Sequence, residues 1–139
     1  MQAFIRISDK QIRIRADVTE PDIVVVLDPG LLTIVNVTSG LRRGGLVVVN
    51  CKSLEIIPQE IRDNHKIAFI DANLVASEVL GVPIVNTTML GAFIKASGVI
   101  TLEVLEEPIK HRFGKLAEKN INAMKRAFEE TQIKEFSNA

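Results

Sequence analysis

Three stretches of the 139-residue chain place polar side chains where they could bind or act on a ligand. The first is Asn86-Thr87-Thr88-Met89-Leu90-Gly91, which follows a short extended Ile84-Val85 and opens a helical pattern. Unsatisfied backbone N–H groups at a helix start, joined by an amide and two hydroxyls, suit an anion or a polar ligand. Asn86 or Thr87 is equally a helix N-cap. The second is Asp28-Pro29-Gly30, at the carboxyl end of an apolar run, the side of an α/β sheet on which ligands gather. The same three residues are also ordinary turn chemistry. The third is Arg42-Arg43-Gly44-Gly45. Adjacent guanidiniums beside a flexible turn can hold a phosphate, and they also complement a helix C-terminus. Neither a G-x-G-x-x-G nor a Walker pattern occurs in the chain.

Nucleophilic and metal chemistry finds little material. No serine stands in a G-x-S-x-G elbow. Cys51, His65 and His111 are the only thiol and imidazoles, and they are widely spaced. A zinc or iron–sulfur site built from this chain alone is therefore not expected. Cys51 lies just past an apolar strand and reads as a buried small hydrophobe. His65, between Asn64 and Lys66, reads as a solvated loop residue, and His111 as part of a charged helix face.

Composition narrows the class further. Seventeen Lys and Arg balance seventeen Asp and Glu, which excludes the basic excess of a nucleic-acid footprint. Six Phe with no Trp or Tyr leave no stacking platform for sugars or bases. No apolar run approaches a membrane span and the start has no signal-peptide anatomy, so a soluble, cytoplasmic chain is expected, without membrane contact. The size suits one domain, residues 1–139.

The elements that position these residues follow from periodicity. Ile5, Ile7, Ile12 and Ile14 alternate with Arg6, Arg13 and Arg15, which predicts an N-terminal β-hairpin turning through residues 8–11. Its four isoleucines share one face, and its arginines want solvent, acidic neighbours or an anion. Ile23-Val24-Val25-Val26-Leu27 and Leu46-Val47-Val48-Val49-Asn50 are β-branched runs of the kind buried on both faces in parallel sheets. Lys66-Ile67-Ala68-Phe69-Ile70 is a third strand, followed by Asp71 as an N-cap. A capped helical turn is expected over 38–43. Further helices follow, from Asn86 or Thr87 to a stop at Gly98, from Thr101 through Phe113, and over 115–131, with fraying after Gln132. Pro108 should kink or split the second of these. The pattern predicts an α/β fold: a three-layer α/β/α sandwich with a mixed, largely parallel sheet.

In order and spacing, several segments resemble the gamma subunit of pyruvate:ferredoxin oxidoreductase (pyruvate synthase) and its 2-oxoacid:ferredoxin oxidoreductase relatives. They are Ala3-Phe4-Ile5-Arg6-Ile7-Ser8-Asp9-Lys10, Glu20-Pro21-Asp22-Ile23-Val24-Val25-Val26-Leu27-Asp28-Pro29, and Pro83-Ile84-Val85-Asn86-Thr87-Thr88-Met89-Leu90-Gly91-Ala92-Phe93. The last is similar to the family's N-x-x-M-L-G segment. Lys95-Ala96-Ser97-Gly98-Val99-Ile100-Thr101-Leu102-Glu103 and Leu116-Ala117-Glu118-Lys119-Asn120 continue the likeness, which runs to about Phe128.

The resemblance implies a non-catalytic subunit of a complex that oxidatively decarboxylates a 2-oxoacid, pyruvate by the form of Glu20-Pro21-Asp22, to its acyl-coenzyme A. Alpha, beta and delta-type subunits would carry the thiamine diphosphate and iron–sulfur clusters and pass electrons to ferredoxin. The gamma chain would help form the coenzyme A side of the pocket, carried over here to Asn86 and Thr87. The competing reading is a free-standing α/β ligand-binding or scaffold module without redox activity. Family members open with a strand, a Gly-rich loop and a helix ahead of the segment matching Ala3. This sequence starts at that segment, so the isolated chain is expected to self-associate or to need a partner over an apolar surface and an open sheet edge.

Overall fold

Four strands form one sheet in the order β1 (Ile23–Val26), β2 (Leu46–Asn50), β3 (Lys66–Ile70) and β4 (Gln132–Lys134). The structure is a computed structural model and describes residues 1–137. β1 to β3 are parallel, with Ile23 beside Leu46 and Leu46 beside Lys66, and β4 closes the far side antiparallel to β3. All five residues of β2 are buried, as a run of consecutive β-branched residues covered on both faces requires.

One face is covered by α2 (Ala72–Leu80), α3 (Asn86–Ser97) and α5 (Ala117–Glu130). Leu46, Val48, Ala68 and Ile70 meet Met89, Ala92, Ala123 and Ala127 there. The other face carries lighter cover: 3-10 turns at Pro29–Thr33 and Leu54–Ile56 and the short α1 (Gln59–Asn64). They bring Leu32, Ile57 and Ile61 onto Val47, Val49 and Ile67. α4 (Leu102–Phe113) packs on α5 through Ile109, Ile121 and Met124. The predicted three-layer α/β fold with a mixed sheet is present.

Caps and stops follow the sequence closely. Asp71 accepts a hydrogen bond from the Leu74 N–H at 3.1 Å and starts α2. Gly81 and Gly98 end α2 and α3 in the left-handed region, at φ of 80° and 64°.

Four local expectations are corrected. Residues 1–17 do double back, with Arg6 Nη2 donating to the carbonyls of Ala16 and Asp17, but no regular strand ladder forms there. The Ile face of this arm has no core to lie on, which removes what would fix a register. Residues 38–43 form turns instead of a helical turn. α4 is not split at Pro108 but stays one continuous helix, because Pro108 and Val104, whose carbonyl loses its partner, both lie on the exposed side. The chain after Gln132 does not fray at once but pairs as β4, while residues 138 and 139 lie outside the described residues.

Candidate functional site

Asn86 is the first residue of α3, not its cap, and its Oδ1 accepts the Thr87 N–H at 2.9 Å. Its side chain is exposed, and its Nδ2 remains a free donor among the described residues. Thr87 and Thr88 turn inward and are buried. The Thr88 hydroxyl has no hydrogen-bond partner among the described residues. Lys66 Nζ donates to the Ala96 carbonyl at the other end of the helix, at 3.4 Å. α3 thus finishes beside the start of β3, which directs its N-terminus toward the carboxyl ends of the strands, where open α/β sheets receive ligands.

The remaining motif residues have structural work. Met89 is buried in the helix-side core. A Cβ on Gly91 would run into the Met124 carbonyl oxygen and the Ala127 side chain, so glycine is what lets α3 and α5 approach this closely.

At the carboxyl end of the sheet the structure assembles a polar knot around Asn50. Its Nδ2 donates to the Leu27 carbonyl and to Asn73 Oδ1, and its Oδ1 accepts the Ala72 N–H, each at 2.9 Å. One buried amide thereby ties the end of β1, the end of β2 and the start of α2. Sequence reading passed over Asn50; the signal was a polar residue closing an otherwise apolar strand. Beside it, Asp28 caps the following 3-10 turn by accepting the Gly30 N–H at 2.9 Å, so its carboxylate is occupied as a turn residue.

Arg42 and Arg43 do not converge on an anion site at a helix end. Gly44 turns the chain at φ 84°, its N–H bonds the Asn64 carbonyl at 2.7 Å, and Arg43 lies over the Phe136 ring at 5.3 Å. His65 is buried rather than solvated, because its Nδ1 meets the Ile61 carbonyl at 3.1 Å and secures the end of α1. Cys51 is buried as expected. Burial pushes its thiol up to about 11, and the nearby Asp71 carboxylate adds to the rise against a smaller opposing pull from the backbone of Ser53. A thiol of that kind is neither a nucleophile nor a ready metal ligand at neutral pH.

Comparison with known proteins decides the family. Residues 1–130 match the sequence profile of the family described as Pyruvate ferredoxin/flavodoxin oxidoreductase. The chain belongs to this oxidoreductase family. It is similar to the Pyruvate/ketoisovalerate oxidoreductases common subunit gamma of Thermococcus litoralis, 48% identical over 96% of this chain and 74% of that one. Pyruvate synthase subunit PorC of Methanocaldococcus jannaschii is 43% identical over 94% of this chain and 71% of its own length. Among solved structures, pyruvate oxidoreductase subunit PORC (EC 1.2.7.1) from Thermotoga maritima superposes with a TM-score of 0.77 at 34% identity. That likeness covers 85% of this chain and 67% of the other. The oxidoreductase family was thus legible in the ordered segments from Ala3 to Asn120. Among the described residues, no helix is long and apolar enough to cross a membrane, and no three acidic, His or Cys side chains are grouped to hold a metal.

Proposed function

We propose that the chain, as a single domain over residues 1–139, is the gamma subunit of a cytoplasmic 2-oxoacid:ferredoxin oxidoreductase, with pyruvate as the 2-oxoacid. The observation that carries this reading is similarity to gamma and PorC chains along almost the full sequence, at 43% to 50% identity. In this reading, alpha, beta and delta-type subunits bring thiamine diphosphate for decarboxylation and iron–sulfur clusters for electron transfer to ferredoxin. This chain's own donors do not fit a cluster: its one cysteine is buried, and its thiol is held protonated at neutral pH.

What the chain contributes is position. Asn86 Nδ2 and the first-turn backbone N–H groups of α3 other than that of Thr87, which Asn86 Oδ1 already holds, form a patch of donors suited to a phosphate or amide of coenzyme A. The buried Thr87 backs that turn, and the Asn50 knot fixes the neighbouring strand ends. Donors held rigid before the ligand arrives bind it without a further ordering cost.

The test is Asn86→Ala in the assembled complex. The KM for coenzyme A should rise about tenfold, the effect of losing one charge-assisted hydrogen bond, with pyruvate-dependent decarboxylation in its absence little changed. An unchanged KM for coenzyme A would remove Asn86 from the site.

A further inference from the structure

The two ends of the sheet are tied in different ways. At the carboxyl end the buried Asn50 amide holds β1, β2 and α2 together. At the amino end the same task falls to the chain after Thr131. β4 is three residues long, lies at the opposite edge from β1, and sets Lys134 beside Ile67, Ile133 beside Ala68 and Gln132 beside Phe69. Gln132, Ile133 and Glu135 are exposed and Lys134 and Phe136 half-buried, so residues 132–136 place no side chain in a core.

Three consecutive side chains there each reach a different element. Lys134 Nζ donates to the Arg62 carbonyl in the last turn of α1, at 3.1 Å. Glu135 pairs at 3.6 Å with Lys66, the first residue of β3, which also donates to the Ala96 carbonyl of α3. Phe136 lies under the Arg43 guanidinium at 5.3 Å and against Gly44, where a Cβ would come within 3.2 Å of the ring. The turn holding Arg43 and Gly44 is itself bonded to the junction of α1 and β3. The Gly44 N–H meets the Asn64 carbonyl at 2.7 Å, and the Lys66 N–H meets the Gly45 carbonyl at 2.9 Å. The tail therefore clasps the start of β2, the start of β3 and the end of α1. Each side-chain tie is a single contact of a kind worth little at a solvated surface. Its root is firmer: Thr131 is buried, and its Oγ1 and N–H both donate to the Ala127 carbonyl of α5, at 2.6 and 2.9 Å. A fixed element end followed by a lightly held strand is the arrangement of a hinge.

We infer that residues 132–136 are a strap that opens and closes as a unit about Thr131. Closed, it locks the turn at 42–45 onto the junction of α1 and β3. Open, it leaves one edge of β3 unpaired and frees Arg43 from the Phe136 ring, while β2 stays covered on both faces. The chain thus yields at the amino end of the sheet and keeps its shape at the carboxyl end, where Asn86 and the Asn50 amide lie. This inference stands apart from the subunit reading, because it rests on contacts within the chain alone.

Hydrogen exchange of the full chain, read residue by residue by NMR, tests this. The protected amides of 132–136 should exchange at least about a hundredfold faster than those of Val47, Val48 and Val49, whose release needs the whole sheet to open. The β3 amides that face β4 should exchange in step with the strap. Phe136→Ala and Lys134→Met should each quicken the strap about three- to tenfold, the effect of losing one cation–ring contact or one charged hydrogen bond, and leave β2 at its wild-type rate. Strap amides exchanging as slowly as β2 would overturn the inference, since the segment would then belong to the cooperative core. Strap amides with no protection at all would overturn it too, because no closed state would exist. So would variants that quicken strap and β2 alike, or that leave the strap at its wild-type rate.

Discussion

Asn50 and Gly91 carry more of the structure than their size implies. Replacing Asn50 with alanine leaves the buried Ala72 N–H and the part-buried Leu27 carbonyl without their partner, and should cost about 2–3 kcal/mol in urea unfolding. Gly91→Ala forces α3 off α5, and overpacking of this kind costs about 1–3 kcal/mol. Both figures are checked by denaturation midpoints, and a midpoint equal to wild type would refute either contact. Cys51, with its thiol near 11, should resist iodoacetamide at pH 7 in the folded state and react at once in urea. Residue types at this scale were half legible. Burial of Cys51 followed from its place behind an apolar strand, whereas His65 was misplaced because its partner, the Ile61 carbonyl, is a backbone atom that no side-chain pattern announces. Asn86 was correctly located at the start of α3, but its cap geometry depended on Val85 staying helical.

Helices and strands were read well where chemistry is local and poorly where it is tertiary. The Asp71 cap, the Gly81 and Gly98 stops and the three parallel strands all follow from residue type and spacing. β4 does not, since Gln132–Lys134 becomes a strand only because β3 offers it an edge. The N-terminal hairpin failed for the converse reason: its alternation is that of a strand, but it lacks a surface to bury its isoleucines. α4 and α5 are joined by Lys125 Nζ and Glu106 at 2.8 Å. That hydrogen bond, and then the charge of Lys125, hold the Glu106 carboxyl below the ordinary carboxylate range. A depressed folded value means the pair's contribution is present at neutral pH and is lost as pH falls through that lowered value. An NMR titration should show Glu106 protonating at lower pH than exposed glutamates elsewhere, and Lys125→Met should return it to their range. Equal midpoints in wild type and variant would show that the pair does not exist in solution.

The whole molecule is a sandwich thickly covered on one face, thinly on the other, and bare along β1 and the arm. That distribution of cover is what a chain built to sit among other subunits would show. In the proposed reading, function at this scale rests on assembly. The most direct measurement is co-expression of this chain with thiamine- and cluster-bearing subunits of the family from the same organism, followed by gel filtration and assay of coenzyme A-dependent pyruvate oxidation. Co-elution, with activity that is lost when this chain is left out and restored when it is added back, is the predicted result. Elution of this chain apart from the others, with their activity unchanged by its absence, would contradict the account.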